Sequence, residues 1–400
     1  MIDNIRSPLP DIRSIVVLRP NAIGDFMFAL PALHALKNTY PQARITLLGK
    51  QWHADFLRGR PSPVDEVIVM PPVPGVGAPA DAEIDAGPVQ QFVAAMREAR
   101  FDLAIQMYGG GRYSNAFIKS LGARLTIGLK TPDAASLDRW LSYGEIYNRR
   151  LELLQLVALV GAQPRLMARE VSVTEKDRDE AARLVPPRPG ERIVVMHPGA
   201  SDLRRHWPAE RFAAVGDALA SKGATIVISA TENERHLART IVEHMQHAPI
   251  DLTGSMSLSD LCGLLERSVM VVANDTGPLH LALSIGTPCV GIFWLTNLLE
   301  SCPLRQQLLR PALSVQANCP VCGVSNLKYR CEHEICFVGD VTVDKVTAMA
   351  LELFSEETGS IAVNAPEPAA SEPGRVPHVP SLHAHPAHSG AAADRAVPSG

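Results

Sequence analysis

Val271-Val272-Ala273-Asn274-Asp275-Thr276-Gly277-Pro278-Leu279-His280-Leu281-Ala282 carries an apolar run up to Asp275, a Thr-Gly pair, and then an apolar stretch opened by a proline. The pattern reads as strand, tight turn and helix, with Pro278 in the first helical turn, where a missing N–H is tolerated. In an open parallel sheet, ligands bind in the crevice beyond the carboxyl ends of the strands. A helix N-terminus there offers unpaired N–H groups and the positive end of a dipole. Asp275, Thr276 and His280 add polar side chains to that backbone. On these residues alone two readings stay open: an anion cradle, or an ordinary turn capped by Asp275 or Thr276.

The same alternation of buried strand and amphipathic helix extends in both directions. Arg192–Met196, Ala224–Ser229, Val269–Ala273 and Pro288–Phe293 read as strands, with helices at Ala209–Lys222, Glu232–Gln246, Leu258–Glu266 and Leu279–Ile285. Upstream, Ser14–Leu18, Arg44–Leu48, Glu66–Val69 and Phe101–Met107 are short β-branched runs of the kind buried on both faces of a parallel sheet. Helices are expected at Phe26–Thr39, with Asp25 as N-cap and Pro31 kinking it, and at Gln51–Leu57, Gln90–Ala99 and Asn148–Val160. Met70–Pro88 is too long for a tight connection and reads as a loop.

The Pro- and charge-rich stretch 161–190 separates the two halves, which gives an α/β chain of two doubly wound domains, 1–170 and 171–355. Within it, Thr174-Glu175-Lys176-Asp177 has the form of a capping box, so Asp177-Arg178-Asp179 reads as a solvated helix face. From Glu356 to Gly400 Pro, Ala, Ser, Gly and His dominate and no periodicity survives, which reads as a disordered tail. His378, His383, His385 and His388 read as incidental composition, with weak metal binding as the alternative.

Composition narrows the function classes. A chain of 400 residues with 46% hydrophobic and 20% charged residues has the make-up of a globular protein. A net charge of −4 without a polybasic arm gives no reason to expect nucleic-acid binding. No apolar run approaches the roughly 18 to 20 residues of a membrane span, and Met1–Pro10 lacks the apolar core of a secretory signal. Seven cysteines, four of them between 319 and 336, fit a reducing compartment, so a cytoplasmic location is expected.

Several loops carry chemistry-bearing residues. Tyr108-Gly109-Gly110-Gly111-Arg112-Tyr113-Ser114 follows a strand; its glycines allow close backbone approach to a ligand or a flexible turn, and Ser114 is placed to cap the next helix. Cys319-Pro320-Val321-Cys322 with Cys331 and Cys336 offers four thiolates at a spacing that can close a structural zinc site.

Three further loops, Gly24-Asp25, His197-Pro198-Gly199-Ala200 leading to Arg205-His206-Trp207-Pro208, and Asp275-Thr276-Gly277-Pro278-Leu279-His280, fall at strand ends of the two domains. Together with Pro31 and Phe212, and in this order from about Ile15 to about Val346, they resemble the bacterial heptosyltransferases of glycosyltransferase family 9. The resemblance implies a GT-B fold: two Rossmann-like domains facing an interdomain cleft. It implies a nucleotide sugar, ADP-heptose by preference, held by the C-terminal domain through Arg205, Glu232 or Glu234, Asp275, Thr276, Gly277, Leu279 and His280. Pro278 has no N–H to give, so Thr276, Gly277 and Leu279 are the expected amide donors.

The acceptor, a lipopolysaccharide core or related glycolipid or saccharide, then lies on the N-terminal side with Gly24, Gly110, Gly111 and Ser114. Asp25 is the expected catalytic base of an inverting, metal-independent transfer, and no Asp-x-Asp motif argues for a metal. No cofactor is expected to be required for that catalysis. Membrane contact would be peripheral, at the inner membrane. The alternatives are another nucleotide sugar, a protein acceptor, or a non-catalytic nucleotide-binding scaffold. Trp207 is expected to anchor a helix start.

Overall fold

The computed structural model describes residues 7–165, 167–327, 331–333 and 335–355. The expected disordered tail, with its four histidines, lies outside the described residues.

Continuous apolar runs form the strands of two parallel sheets. The first half contains β1 (Ser14–Leu18), β2 (Arg44–Gly49), β3 (Glu66–Val69), a small pair β4 (Val73–Pro74) and β5 (Gly77–Ala78), then β6 (Leu103–Gln106), β7 (Leu125–Lys130) and β8 (Arg139–Ser142). Its sheet runs β3-β2-β1-β6-β7-β8. The second half contains β9 (Arg192–His197), β10 (Ala224–Ile228), β11 (Ile250–Asp251), β12 (Met270–Asn274), β13 (Cys289–Trp294) and β14 (Leu309–Ser314), in the order β11-β10-β9-β12-β13-β14. Val16 lies beside Thr46 and Ala104, and Val195 beside Val227 and Val271, each in parallel register. Strand order reverses between β1 and β6 and between β9 and β12, so each sheet has its binding crevice at the ends of those strands. The loops singled out in the sequence follow β1, β6, β9 and β12.

The connecting helices are α1 (Ile23–Thr39), α2 (Gln51–Leu57), α3 (Ala86–Glu98), α4 (Ser114–Ser120) and α5 (Arg149–Ala158), then α6 (Glu175–Leu184), α7 (Ala209–Ala220), α8 (Arg235–His244), α9 (Leu258–Arg267), α10 (Gly277–Ile285), α11 (Leu295–Ser301) and α12 (Val343–Ser355). α1 packs on α5 and on α10, which brings elements of the two halves together. One buried apolar cluster accordingly holds Ile15 and Val17 together with Val195 and Val271. None of these helices is long and apolar enough to cross a membrane.

Several expectations need correction. α1 begins two residues before Asp25, with Ala22 at the N-cap, while Pro31 lies inside the helix as expected. α4 begins at Ser114 behind Tyr113, so Ser114 is the first helical residue and not a cap. The Met70–Pro88 loop carries β4 and β5 and is pinned by Val76, which is fully buried. β7, β8, β11, β14, α11 and α12 were not anticipated. The capping box at Thr174 is present, but Asp177 is not on a solvated face: it is 1% exposed and ion-paired with Arg60.

Candidate active site

The second-half loops are cross-linked by buried polar side chains. Asn274, at the end of β12, donates from Nδ2 to the Pro198 carbonyl (2.6 Å) and accepts from the Trp207 amide (3.3 Å). Trp207 is fully buried, with Nε1 donating to the Val341 carbonyl and its ring edge-on to Phe212, as an anchor requires. Asp275 is buried and accepts from His280 Nε2 (2.8 Å), Arg205 Nη1 (3.0 Å) and Ser301 Oγ (3.2 Å). Burial alone would raise its carboxyl; the His280 and Arg205 donors outweigh that and hold it below the ordinary range. For His280 burial dominates and favours the neutral ring, which also packs edge-on against Phe28 at 4.7 Å.

Arg205 is thereby fixed from both sides. Its Nη1 also donates to the Asp275 carbonyl (3.1 Å) and its Nη2 to Ser201 Oγ (2.8 Å), while its Nε is buried with no partner among the described residues. Thr276 occupies the N-cap of α10 with no side-chain capping bond, and Asp275 is engaged elsewhere. The turn is therefore not closed by a side-chain cap, and Thr276, Gly277 and Pro278 line the cleft.

From the first half, Asp25 comes to the same cleft. Buried Arg19 donates from Nε (3.1 Å) and Nη2 (2.7 Å) to the Asp25 carbonyl and from Nη1 to the Met107 carbonyl, tying the loops after β1 and β6 together. The Asp25 carboxylate stands 3.5 Å from Arg19 Nη2 and is 41% exposed. The loops of the two halves meet at two glycines. A Cβ built on Gly24 would lie 3.5 Å from the Gly277 Cα, and one on Gly277 would collide with Ile23 Cγ2. At position 277 only a residue without a side chain allows that approach.

The cleft so formed holds about 750 Å³, within the range of small-molecule sites. Gly24, Asp25, Arg205, Glu232, Glu234, Asp275, Thr276, Gly277 and His280 all line it. Glu232 is exposed and pairs with Arg235. Glu234 accepts from the Thr231 amide and hydroxyl and packs where a side chain on Gly199 would sit. Burial works to raise the Glu234 carboxyl, and His197 with the Thr231 donors brings it lower.

Four expected residues are not among those lining the cleft. Leu279 is buried in the core. Ser114 is 2% exposed, its hydroxyl bonded to the Tyr108 carbonyl and Gln106 Nε2. Gly110 accepts from the Thr131 amide, and Gly111 takes a φ of +89° with Asn115 packed where a Cβ would be. The glycines of this loop serve the turn itself.

The cysteine cluster is also rearranged. Ligand atoms of Cys319, Cys322, Cys331 and His333 lie within 4.8 Å of one another. Cys336 is not part of the group; its Sγ donates to the His206 carbonyl (3.0 Å). His333 Nδ1 is buried without a partner among the described residues, and Asn326 Nδ2 holds the Cys331 thiol down to about 6. Three thiols and an imidazole are a standard zinc donor set.

The sequence model of glycosyltransferase family 9 (heptosyltransferase) matches residues 89–324, more than half of the chain. The chain belongs to that family. A solved family 9 glycosyltransferase from Veillonella parvula superposes with a TM-score of 0.69 at 20% identity, covering 86% of this chain and 97% of that one. The Escherichia coli ADP-heptose lipopolysaccharide heptosyltransferase II gives 0.66 at 19% identity over 85% and 98%. In sequence, the lipopolysaccharide core heptosyltransferase OpsX of Haemophilus influenzae is 21% identical over 309 residues, 73% of this chain and 82% of that protein. The fold is GT-B, and the chain is a glycosyltransferase.

Sequence reasoning missed several residues of this glycosyltransferase's cleft. Phe28, Asn297, Glu300 and Ser301 line it, and Arg19 braces Asp25 from behind. Phe28 had a detectable signal, one turn beyond Asp25 on the same helix. Asn297, Glu300 and Ser301 had none, because α11 matches no motif.

Proposed function

We propose that this glycosyltransferase moves heptose from ADP-heptose onto a lipopolysaccharide core or a related glycan, with inversion and without a metal at the reacting centre. The observation that carries the reading is one cleft lined by a half-exposed carboxylate, Asp25, and by Arg205 together with the Thr276-Gly277 turn. Residues 1–170 then hold the acceptor and 171–355 the donor. Asp25 takes the proton of the acceptor hydroxyl as that oxygen attacks the anomeric carbon from the face opposite the leaving group. Arg205, which lines the cleft, and the backbone of the Thr276-Gly277 turn receive the negative charge on the departing diphosphate. Glu232 or Glu234 accepts from the ribose hydroxyls, and Asp275 and His280 orient Arg205 and the turn. ADP-heptose is favoured because the solved relative from Escherichia coli is named for it; the acceptor class follows the name of OpsX. The enzyme works peripherally on the cytoplasmic face of the inner membrane, where such an acceptor is presented. Calorimetric titration with ADP, UDP and GDP tests the donor: ADP should bind at least about tenfold more tightly, a difference of roughly 1.4 kcal/mol. Preference for UDP or GDP overturns the heptose assignment.

The Cys319-Cys322-Cys331-His333 group is proposed as a structural zinc site. A metal there would brace the loop whose Phe337 amide donates to the Arg204 carbonyl (2.7 Å), next to Arg205. Purified protein should carry about one zinc per chain by mass spectrometry, and Cys319→Ser should lose it together with thermal stability. Protein prepared without chelator that holds no metal ends this proposal.

A further inference from the structure

Five carboxylates line the cleft, and four of them are engaged. Asp275 accepts three hydrogen bonds, Glu232 is paired with Arg235, Glu234 accepts from Thr231, and Asp25 is the base facing the acceptor. The fifth is Glu300, on the last turn of α11. Its nearest partner is Arg149 Nη2 at 3.8 Å, and among the described residues it accepts no hydrogen bond. Two-thirds of its side chain is withdrawn from water, and burial lifts its carboxyl above the ordinary range, with Arg149 opposing and Asp275 adding to the lift. Its oxygens therefore have no protein donor among the described residues and are open to hydroxyls brought by a ligand.

Its position says what donors would meet it. The next residue, Ser301, bonds Asp275 through its hydroxyl and takes a hydrogen bond from buried Arg150 on its carbonyl (2.5 Å), so Glu300 is one residue from the group that fixes Arg205 and the turn. On its other side stands Arg149 of the first half, which pairs with Glu152 (2.9 Å), stacks over Tyr143 at 4.6 Å, and lies in the electrostatic surroundings of Arg19, the residue that braces Asp25. Glu300 therefore lines the cleft where that group meets Arg149 of the first half. In a transferase the cleft that holds the diphosphate and the base also holds the group in transit.

We propose that Glu300 accepts hydrogen bonds from hydroxyls of the transferred sugar and thereby selects the glycosyl group of the donor, without contributing to nucleotide binding. One carboxylate offers acceptor sites for two neighbouring hydroxyls, and its charge strengthens both bonds. The inference rests on the donor reading above, in which the diphosphate lies at Arg205 and the α10 turn.

The test compares ADP with ADP-heptose by calorimetry on the full chain, without acceptor, in the parent, Glu300→Ala, Glu300→Gln and Arg149→Ala. The expected result is an ADP affinity within about twofold of the parent throughout, an ADP-heptose affinity reduced about tenfold in Glu300→Ala and less in Glu300→Gln, and a change under about threefold in Arg149→Ala. Equal losses for both ligands in Glu300→Ala, no loss for either, or full reproduction of the loss by Arg149→Ala overturn the role of Glu300. A parent that binds no ADP overturns the donor reading and this inference with it.

Discussion

Asp25→Asn should leave the fold and ADP binding intact while lowering kcat for sugar transfer by about 10²- to 10⁴-fold, the usual contribution of a positioned general base. The substitution keeps the side-chain volume and replaces the carboxylate by an amide too weakly basic to take the proton. The structure explains why folding should survive it. Arg19 is held by the Asp25 carbonyl, at 2.7 and 3.1 Å, while the carboxylate itself is only within 3.5 Å of the guanidinium. Nor does Asp25 cap α1; Ala22 does, and the carboxylate sits in the first turn with much of its surface open to the cleft. A variant that folds, binds ADP with the parent's affinity and fails to turn over assigns the carboxylate to the chemical step. Turnover within threefold of the parent would remove Asp25 from the mechanism. Loss of ADP affinity would instead make it part of the donor site.

What the sequence disclosed and what it hid follow one division, between local and distant causes. β1, β2, β6, β9 and β12 were legible because a strand buried on both faces reads as an unbroken β-branched run. The Thr174 capping box was legible because both of its bonds lie within four residues. The strand, turn and helix at β12 and α10 were legible because Thr-Gly-Pro fixes the backbone locally. Hidden features depended on partners far along the chain. Arg205 could be named, but not that Asp275, seventy residues on, would hold two of its bonds. Cys336 and His333 are three residues apart, and only the path of the loop decides which joins Cys319 and which turns to His206. The glycines after β6 show the same limit: a glycine is needed where φ is positive, as at Gly111, and the sequence cannot distinguish that need from one imposed by a ligand.

Asp177 is the sharpest case of a distant partner, and removing it should have the largest effect on stability. Arg60, just beyond α2, reaches it bidentately, Nη1 to Oδ2 at 2.6 Å and Nη2 to Oδ1 at 2.9 Å, with both side chains 5% exposed or less. Ser259 Oγ and the Thr174 amide also donate to the carboxylate, and Arg60 further binds the Ser172 and Phe56 carbonyls. The pair thus ties the first half to α6 and the start of α9. Asp177→Ala leaves a buried guanidinium without its counter-ion and should cost about 3–5 kcal/mol in urea unfolding followed by circular dichroism. Arg60→Met combined with Asp177→Leu should recover most of that loss, because apolar replacement of the whole pair removes the desolvation penalty along with the attraction. The pH dependence has a definite sign. Burial would raise the Asp177 carboxyl, but Arg60, Ser259 and Thr174 bring its folded-state pKa below the ordinary value. Its stabilisation is therefore fully present above the unfolded pKa of roughly 3.9 and is lost as pH falls through the lower folded value. The gap between parent and Asp177→Ala should be constant near neutrality and shrink in acid; a gap that stays the same from about pH 7 to below that folded value would mean that the carboxylate charge is not what holds the two halves together here.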